Sequence, residues 1–187
     1  MKTQLRRYCL FIVLAALCFT VSACGSGGSS PSRTTKIKTS MKTAGLTTAG
    51  YVPAGYVVAT IDLVLAIPYG VTVELDPLTN QPVKSVIQLV GITDPAMTLN
   101  TLDYVAPTSA LPGSLRITYI AAAGFTPTDS INVTLDIATG FFPVAADFSL
   151  TKYDIGVMKL DPITGQMLDS QNISIPNPNS LLTVTVI

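Results

Sequence analysis

The chain of 187 residues contains no histidine and no tryptophan. Without an imidazole, neither a Ser-His-Asp nor a Cys-His arrangement can be assembled, and no nitrogen ligand of that kind is available to a metal. Catalysis would have to rest on paired carboxylates or a lysine base. The missing indole removes the widest stacking surface for a sugar ring and leaves that task to tyrosine and phenylalanine. Charge is scarce too: Asp, Glu, Lys and Arg make up 12% of the residues, about half the share usual in a soluble domain. The 11 basic and 11 acidic groups balance, so no basic excess draws the chain to nucleic acid. Cysteine occurs three times, at Cys9, Cys18 and Cys24. The length is that of one domain.

What is present begins with a targeting segment. "MKTQLRRYC" supplies Lys2, Arg6 and Arg7, and "LFIVLAALCFTV" adds an apolar run of about a dozen residues, too short to span a bilayer comfortably. "VSAC", Val21 to Cys24, follows directly. This tetrad resembles the lipobox of bacterial lipoproteins: an aliphatic residue, two small residues and a cysteine. The resemblance implies a signal peptide over 1–23, cleavage between Ala23 and Cys24, and acylation (palmitate) of the Cys24 thiol. An ordinary secretory peptide cut at the same bond, leaving a free thiol, is the alternative. Acyl chains on Cys24 would anchor the protein firmly. Gly25 in place of Asp resembles the outer-membrane sorting pattern, with a periplasmic and a surface-exposed face both open. Cleavage removes Cys9 and Cys18, so the remaining chain has no partner for an internal disulfide. It also removes three basic groups, leaving 8 against 11 acidic ones.

Residues 24–32, with "GSGGSSPS", read as a Gly/Ser-rich tether. From Arg33 to Ile187 the chain reads as strands. In "KIKTSMKT", Ile37, Thr39, Met41 and Thr43 alternate with Lys36, Lys38, Ser40 and Lys42. That pattern predicts a half-buried strand with a lysine-decorated outer face, as edge strands often carry, rather than a basic juxtamembrane patch. Further strands are expected over 56–67, 71–75, 83–92, 114–122, 130–138, 154–160, 167–175 and 180–187, with one short helical turn within Pro143 to Leu150. Proline and glycine punctuate every ten to fifteen residues and no long helical period appears. The expectation is an all-β sandwich of about nine strands.

A motif occurs twice: "LDPLTNQPV" from Leu75 and "LDPITGQML" from Leu160. An acidic motif in duplicate is either a ligand site or a repeated piece of backbone geometry. Pro77 and Pro162 have the fixed φ of the second position of a type I turn. Gly165 and Asn80 stand where a left-handed residue closes the loop. Calcium would need six or more oxygens, whereas each turn brings one carboxylate, with Asp169 near the second. Backbone geometry is the expectation.

"IDLVLAIPYGVTVELDP" from Ile61 and "LRITYIAAAGFTPTDSINVTLDIATG" from Leu115 resemble cohesin-like domains, which are nine-stranded jelly-roll sandwiches related to carbohydrate-binding modules. The match rests on the strand running into "IPYGV", the strands "LRITYI" and "INVTLDI", the Gly124-Phe125 turn and "PVAADFSL". It implies a cohesin-like domain over 33–187. In cellulosome members one sheet face binds a dockerin module, but no residue-by-residue motif carries that face over, so the ligand-binding residues stay unassigned.

The function expected is therefore a non-catalytic module, lipid-anchored through Cys24 in a bacterial envelope, at the outer membrane. It would recognise a protein partner, dockerin-like or another envelope component. Direct polysaccharide binding is the alternative, with Tyr51, Tyr56, Tyr69, Tyr104, Tyr119 and Tyr153 as the available platforms. No metal, cofactor or nucleic acid is called for. Among the carboxylates, Asp62 stands out, because "TIDLVLAI" is otherwise apolar. It faces solvent on the polar side of its strand, or it is buried and paired.

Overall fold

Successive side chains of a strand point to opposite faces, so a period-two pattern decides which face of each segment is dry. The computed structural model describes residues 35–90, 97–127 and 129–187. The leader, Ala23, Cys24, the tether and Arg33 lie outside the described residues. Strand β1 (Thr35–Lys42) buries Ile37, Thr39 and Met41 and turns Lys36, Lys38 and Ser40 outward, as the alternation predicts. It is not an edge strand, however. One side pairs with β10 (Leu182–Val186), from Ile37↔Val186 to Met41↔Leu182, and the other with the whole of β7 (Ser130–Ile137). The C-terminal segment closes on β1, a long-range pairing that local alternation cannot register.

The far side of β7 takes two short strands, β3 (Val71–Thr72) and β4 (Ile87–Val90), which complete a five-stranded antiparallel sheet. The second sheet runs β5-β6-β2-β8-β9 and is also antiparallel and five-stranded. Its members are β2 (Val57–Ile67), β5 (Met97–Val105), β6 (Gly113–Phe125), β8 (Ser149–Leu160) and β9 (Met167–Ser174). The described residues thus form an all-β sandwich of ten strands. The chain passes repeatedly between layers, β1 to β2, β2 to β3, β4 to β5, β6 to β7, β7 to β8 and β9 to β10. Among the described residues one α-helical turn, α1 (Gly45–Thr48), is present. Three 3₁₀ turns accompany it, Lys84–Val86, Ala145–Asp147 and Pro178–Leu181; the second falls within the expected 143–150.

The layers meet through aliphatic side chains. Ile37, Met41, Ile131, Val133 and Leu135 of the first sheet join Ile61, Leu63, Leu65, Leu115, Ile117 and Ile155 of the second in one buried cluster. Burying each such side chain contributes about 1.5–3 kcal/mol. Tyr153 lies in the same layer, 1% exposed, and its hydroxyl donates to the Lys42 carbonyl at 3.3 Å, bridging β8 and β1. Strand β5 was not among the expected segments. A bulge between Leu99 and Thr101 breaks its alternation, so Leu99, Leu102 and Tyr104 fall out of a simple period of two. Gly124 and Phe125 close β6 rather than forming a turn: between Val58↔Phe125 and Thr60↔Ile120 the strand bulges, and Phe125 is buried.

The repeated motif is one turn built twice. Asp76 Oδ1 accepts the Leu78 and Thr79 amides at 2.8 and 3.0 Å; Asp161 Oδ1 accepts those of Ile163 and Thr164 at 2.9 and 2.8 Å. The Asn80 amide donates to the Asp76 carbonyl at 2.8 Å, and the Gly165 amide to the Asp161 carbonyl at 2.9 Å. Asn80 and Gly165 adopt φ of 55° and 69°. These amides hold both carboxyls below the usual carboxylate range. The motif is backbone geometry.

Two glycines with positive φ separate strain from crowding. At Gly165 an added Cβ meets nothing within 4 Å, whereas at Gly70, φ +84°, it would lie 2.2 Å from the Phe141 ring. Gly165→Ala is expected to cost about 1 kcal/mol, the left-handed backbone alone. Gly70→Ala is expected to cost clearly more, because ring and loop must also shift. Denaturant midpoints of the two variants, compared at equal m, check the order.

Candidate functional site

Strand β2 lies at the centre of the second sheet and buries Ile61, Leu63, Leu65 and Ile67. Parity therefore turns Asp62 out to the solvent face. Register then decides its neighbours. Thr118 of β6 and Asp154 of β8 stand directly opposite it, while Arg116 and Lys152 stand opposite Val64, on the two diagonals. All four positions are used. Arg116 grips the carboxylate with two bonds, Nε to Oδ1 and Nη2 to Oδ2, both 2.9 Å. Thr118 Oγ1 donates to Oδ1 at 3.1 Å, and Lys152 Nζ to Oδ2 at 2.5 Å. The same ammonium lies 3.2 Å from Asp154 Oδ2, and Ser174 of β9 donates to Asp154 Oδ1. A row of polar groups thus crosses four strands.

The sequence left two options for Asp62, solvent-facing or buried and paired. The side chain is outward, yet only 16% exposed and fully paired. The Arg116 guanidinium, then the Lys152 and Thr118 donors, hold its carboxyl down at about 2, against an opposing penalty from partial burial. Its carboxylate in turn raises the pKa of both Arg116 and Lys152. A carboxyl so far below neutrality has no proton to give near pH 7, so it does not have the property required of a glycosidase acid. What the row offers is a fixed charge pattern. Around it short polar side chains, Thr98, Thr101 and Asp103 on β5, Ser114 on β6, Thr60 on β2 and Asn172 on β9, share the outward face with the aliphatic Val64, Ile120 and Val105. No aromatic side chain stands among them.

The tyrosines lie elsewhere. Tyr119 and Tyr153 are in the core, where burial pushes the Tyr119 phenol up to about 12 and that of Tyr153 higher still. Tyr51 and Tyr104 pack half-buried against the core, and Tyr69 is 51% exposed in the loop after β2. Tyr56 alone joins a polar cluster. Its hydroxyl donates to Asp169, and the Gln171 amide donates to the Tyr56 oxygen at 3.3 Å. The Asp169 bond is the main reason that the phenol is raised and the carboxyl lowered. Gln171 also borders an open groove of about 300 Å³ with Thr60, Gly156, Met158, Ser170 and Asn172. Among the described residues no three His, Cys, Asp or Glu side chains converge as a metal set. Asp62 was the one residue of the polar row that the sequence singled out. Its partners sit on separate strands, and only the pairing register brings them together.

The lowered Asp62 pKa has a pH signature. The group is ionised more readily folded than at its ordinary 3.8, so its contribution is complete above about pH 4 and is lost as pH falls toward 2. Half-exposed partners reduce the contribution, and Asp62→Asn is expected to cost about 1 kcal/mol at neutral pH. The acid limb of stability between pH 4 and 2 should become shallower in that variant. Unchanged stability at pH 7 with an unchanged acid limb would show that the row contributes nothing to folding.

Compared with known protein families, curated proteins and solved structures, the chain has no match.

Proposed function

We propose that the protein is a non-catalytic, lipid-anchored module of a bacterial cell envelope, held at the outer membrane through Cys24. In this reading a cohesin-like domain recognises a protein partner with the solvent face of its second sheet. The observation that carries the reading is the composition of that face. A sheet face with Asp62, Arg116, Lys152 and Asp154 locked in register offers a fixed pattern of opposite charges. Such a pattern selects partners and rejects wrong ones more than it adds affinity.

Polysaccharide binding is a second reading, favoured by one feature. Tyr56, Asp169 and Gln171 gather a ring, a carboxylate and an amide beside the open groove. These are the group types that stack on and hydrogen-bond a sugar.

Photo-crosslinking in intact cells tests the first reading. A crosslinker at Thr101, on the solvent face of the second sheet, should capture a protein adduct that one at Lys38, on the outer face of the first sheet, does not. Arg116→Glu should abolish that adduct, and recovery of monomer alone from both positions would remove the reading. Retention of the protein on an insoluble glycan, lost in Tyr56→Ala, would establish the second instead.

A further inference from the structure

Register places several apolar side chains at one end of the sandwich. Thr35 pairs with Ile137 and Val71 with Ile137, Ala66 with both Ser114 and Ser149, Val105 with Ser114, and the Ile187 amide donates to the Lys36 carbonyl. The loops β2–β3, β5–β6 and β7–β8 and the last residues therefore share an end with the start of β1. Those loops carry Tyr69 (51% exposed), Leu111 (68%), Phe142 (90%) and Val144 (58%), and Ile187 beside them is 60% exposed. This is not a loose loop. The Ala138 amide donates to the Gly70 carbonyl at 2.8 Å and the Phe141 amide to Ala138 at 3.2 Å. The Phe141 ring meets Tyr69 edge-on at 5.2 Å, and Asp147 accepts the Val144 amide at 2.8 Å. Phe141, itself 37% exposed, is thereby held against Gly70 and Tyr69, and Phe142 projects beside it from a braced support.

We infer that this end docks on the bilayer that the lipid anchor occupies, with Phe142 inserted at the headgroup–acyl boundary and Tyr69 and Leu111 beside it. The inference rests on the reading of Cys24 as the acylated residue. From Cys24 to Thr35 the chain has eleven residue steps, at most about 40 Å when fully extended. The tether thus joins the domain at the end that carries the apolar loops, and the bilayer is the apolar phase within its reach. Projecting Phe, Tyr and Leu are the residue types that partition into the interface. The opposite end differs. There Ile163 and Leu168 are also exposed, but on a hairpin shared with Asp161, Asp169 and Lys159, roughly 35 Å away along β8. Asp147 is the acidic group that belongs to the docking loops, and its carboxylate is engaged by the Val144 amide.

The test uses the mature acylated chain, reconstituted in vesicles of phosphatidylethanolamine and phosphatidylglycerol. Spin labels are placed at Phe142→Cys or Ile163→Cys, both at positions exposed by 90% or more. Collisions with lipid-dissolved oxygen and with an aqueous nickel complex report depth. The label at 142 should lie about 5–10 Å inside the headgroup boundary, and the label at 163 should stay in water. Two aqueous labels on a chain that carries palmitate would overturn the docking and leave the lipoprotein reading standing. A label at 142 shielded from both reagents would overturn it in favour of a protein covering that end. Metabolic palmitate labelling that fails to mark the wild-type protein would overturn the anchor reading itself, and the docking with it.

Discussion

The apolar interlayer is the constraint on which everything else in the molecule depends. The described residues contain no cysteine, so no disulfide joins the two sheets. Each sheet must bury one face against the other, and the sequence meets this with mostly apolar side chains at the inward positions of β1, β2, β6, β7 and β8. The price of a layer packed in this way is that polar groups inside it need partners within it. Tyr153 finds one in the Lys42 carbonyl, and Thr39 Oγ1 finds one in the Val133 carbonyl at 3.4 Å. The interlayer therefore fixes more than stability. It also fixes which residues are forced outward, and those outward residues are where recognition chemistry becomes available.

Asp62 illustrates the consequence. Parity, not local polarity, sends it to solvent between two fully buried neighbours, Ile61 and Leu63. Once outward on a central strand it has four cross-strand neighbours, two direct and two diagonal. An unpaired carboxylate there would face Asp154 directly, a like charge. Lys152 lies within reach of both carboxylates and offsets that repulsion, while Arg116 supplies the bidentate contact from the other side. A chain that is only 12% charged thus places four of its charged groups in one connected row. The pattern explains how a weakly charged domain can still present a specific electrostatic surface.

Much of the architecture was legible because strand periodicity is a local property. β1 and β7 alternate cleanly over eight residues, β2 shows as a β-branched apolar run, and the two Leu-Asp-Pro turns announce themselves by proline and by a left-handed residue three positions later. What escaped was non-local or irregular. β5 was hidden by its bulge at Asn100, and the strand expected over 71–75 is present but stops after two residues, Val71–Thr72. The interior position of β1 depends on β10, which returns to it from about 150 residues downstream. The polar row was legible only as one odd aspartate, because Arg116, Thr118 and Lys152 are 54 to 90 residues from Asp62. Phe142 carried no signal either, since an apolar residue in a loop reads the same whether it is covered or bare.

The two proposed surfaces do not compete for the same part of the molecule. The solvent face of the second sheet runs parallel to the strands, whereas the apolar loops cap the strand ends. If the loops rest on a bilayer, the strands stand away from it and the Asp62 row faces sideways, unobstructed by lipid. Docking by an end would also restrict the rotations left to a domain on a short tether. A partner approaching along the membrane would then meet the sheet face in a narrow range of orientations, and less orientational freedom would be lost on binding. On that proposal an apolar end and a charged side would be complementary uses of one sandwich: the first would hold the domain upright, and the second would be displayed because the first did so.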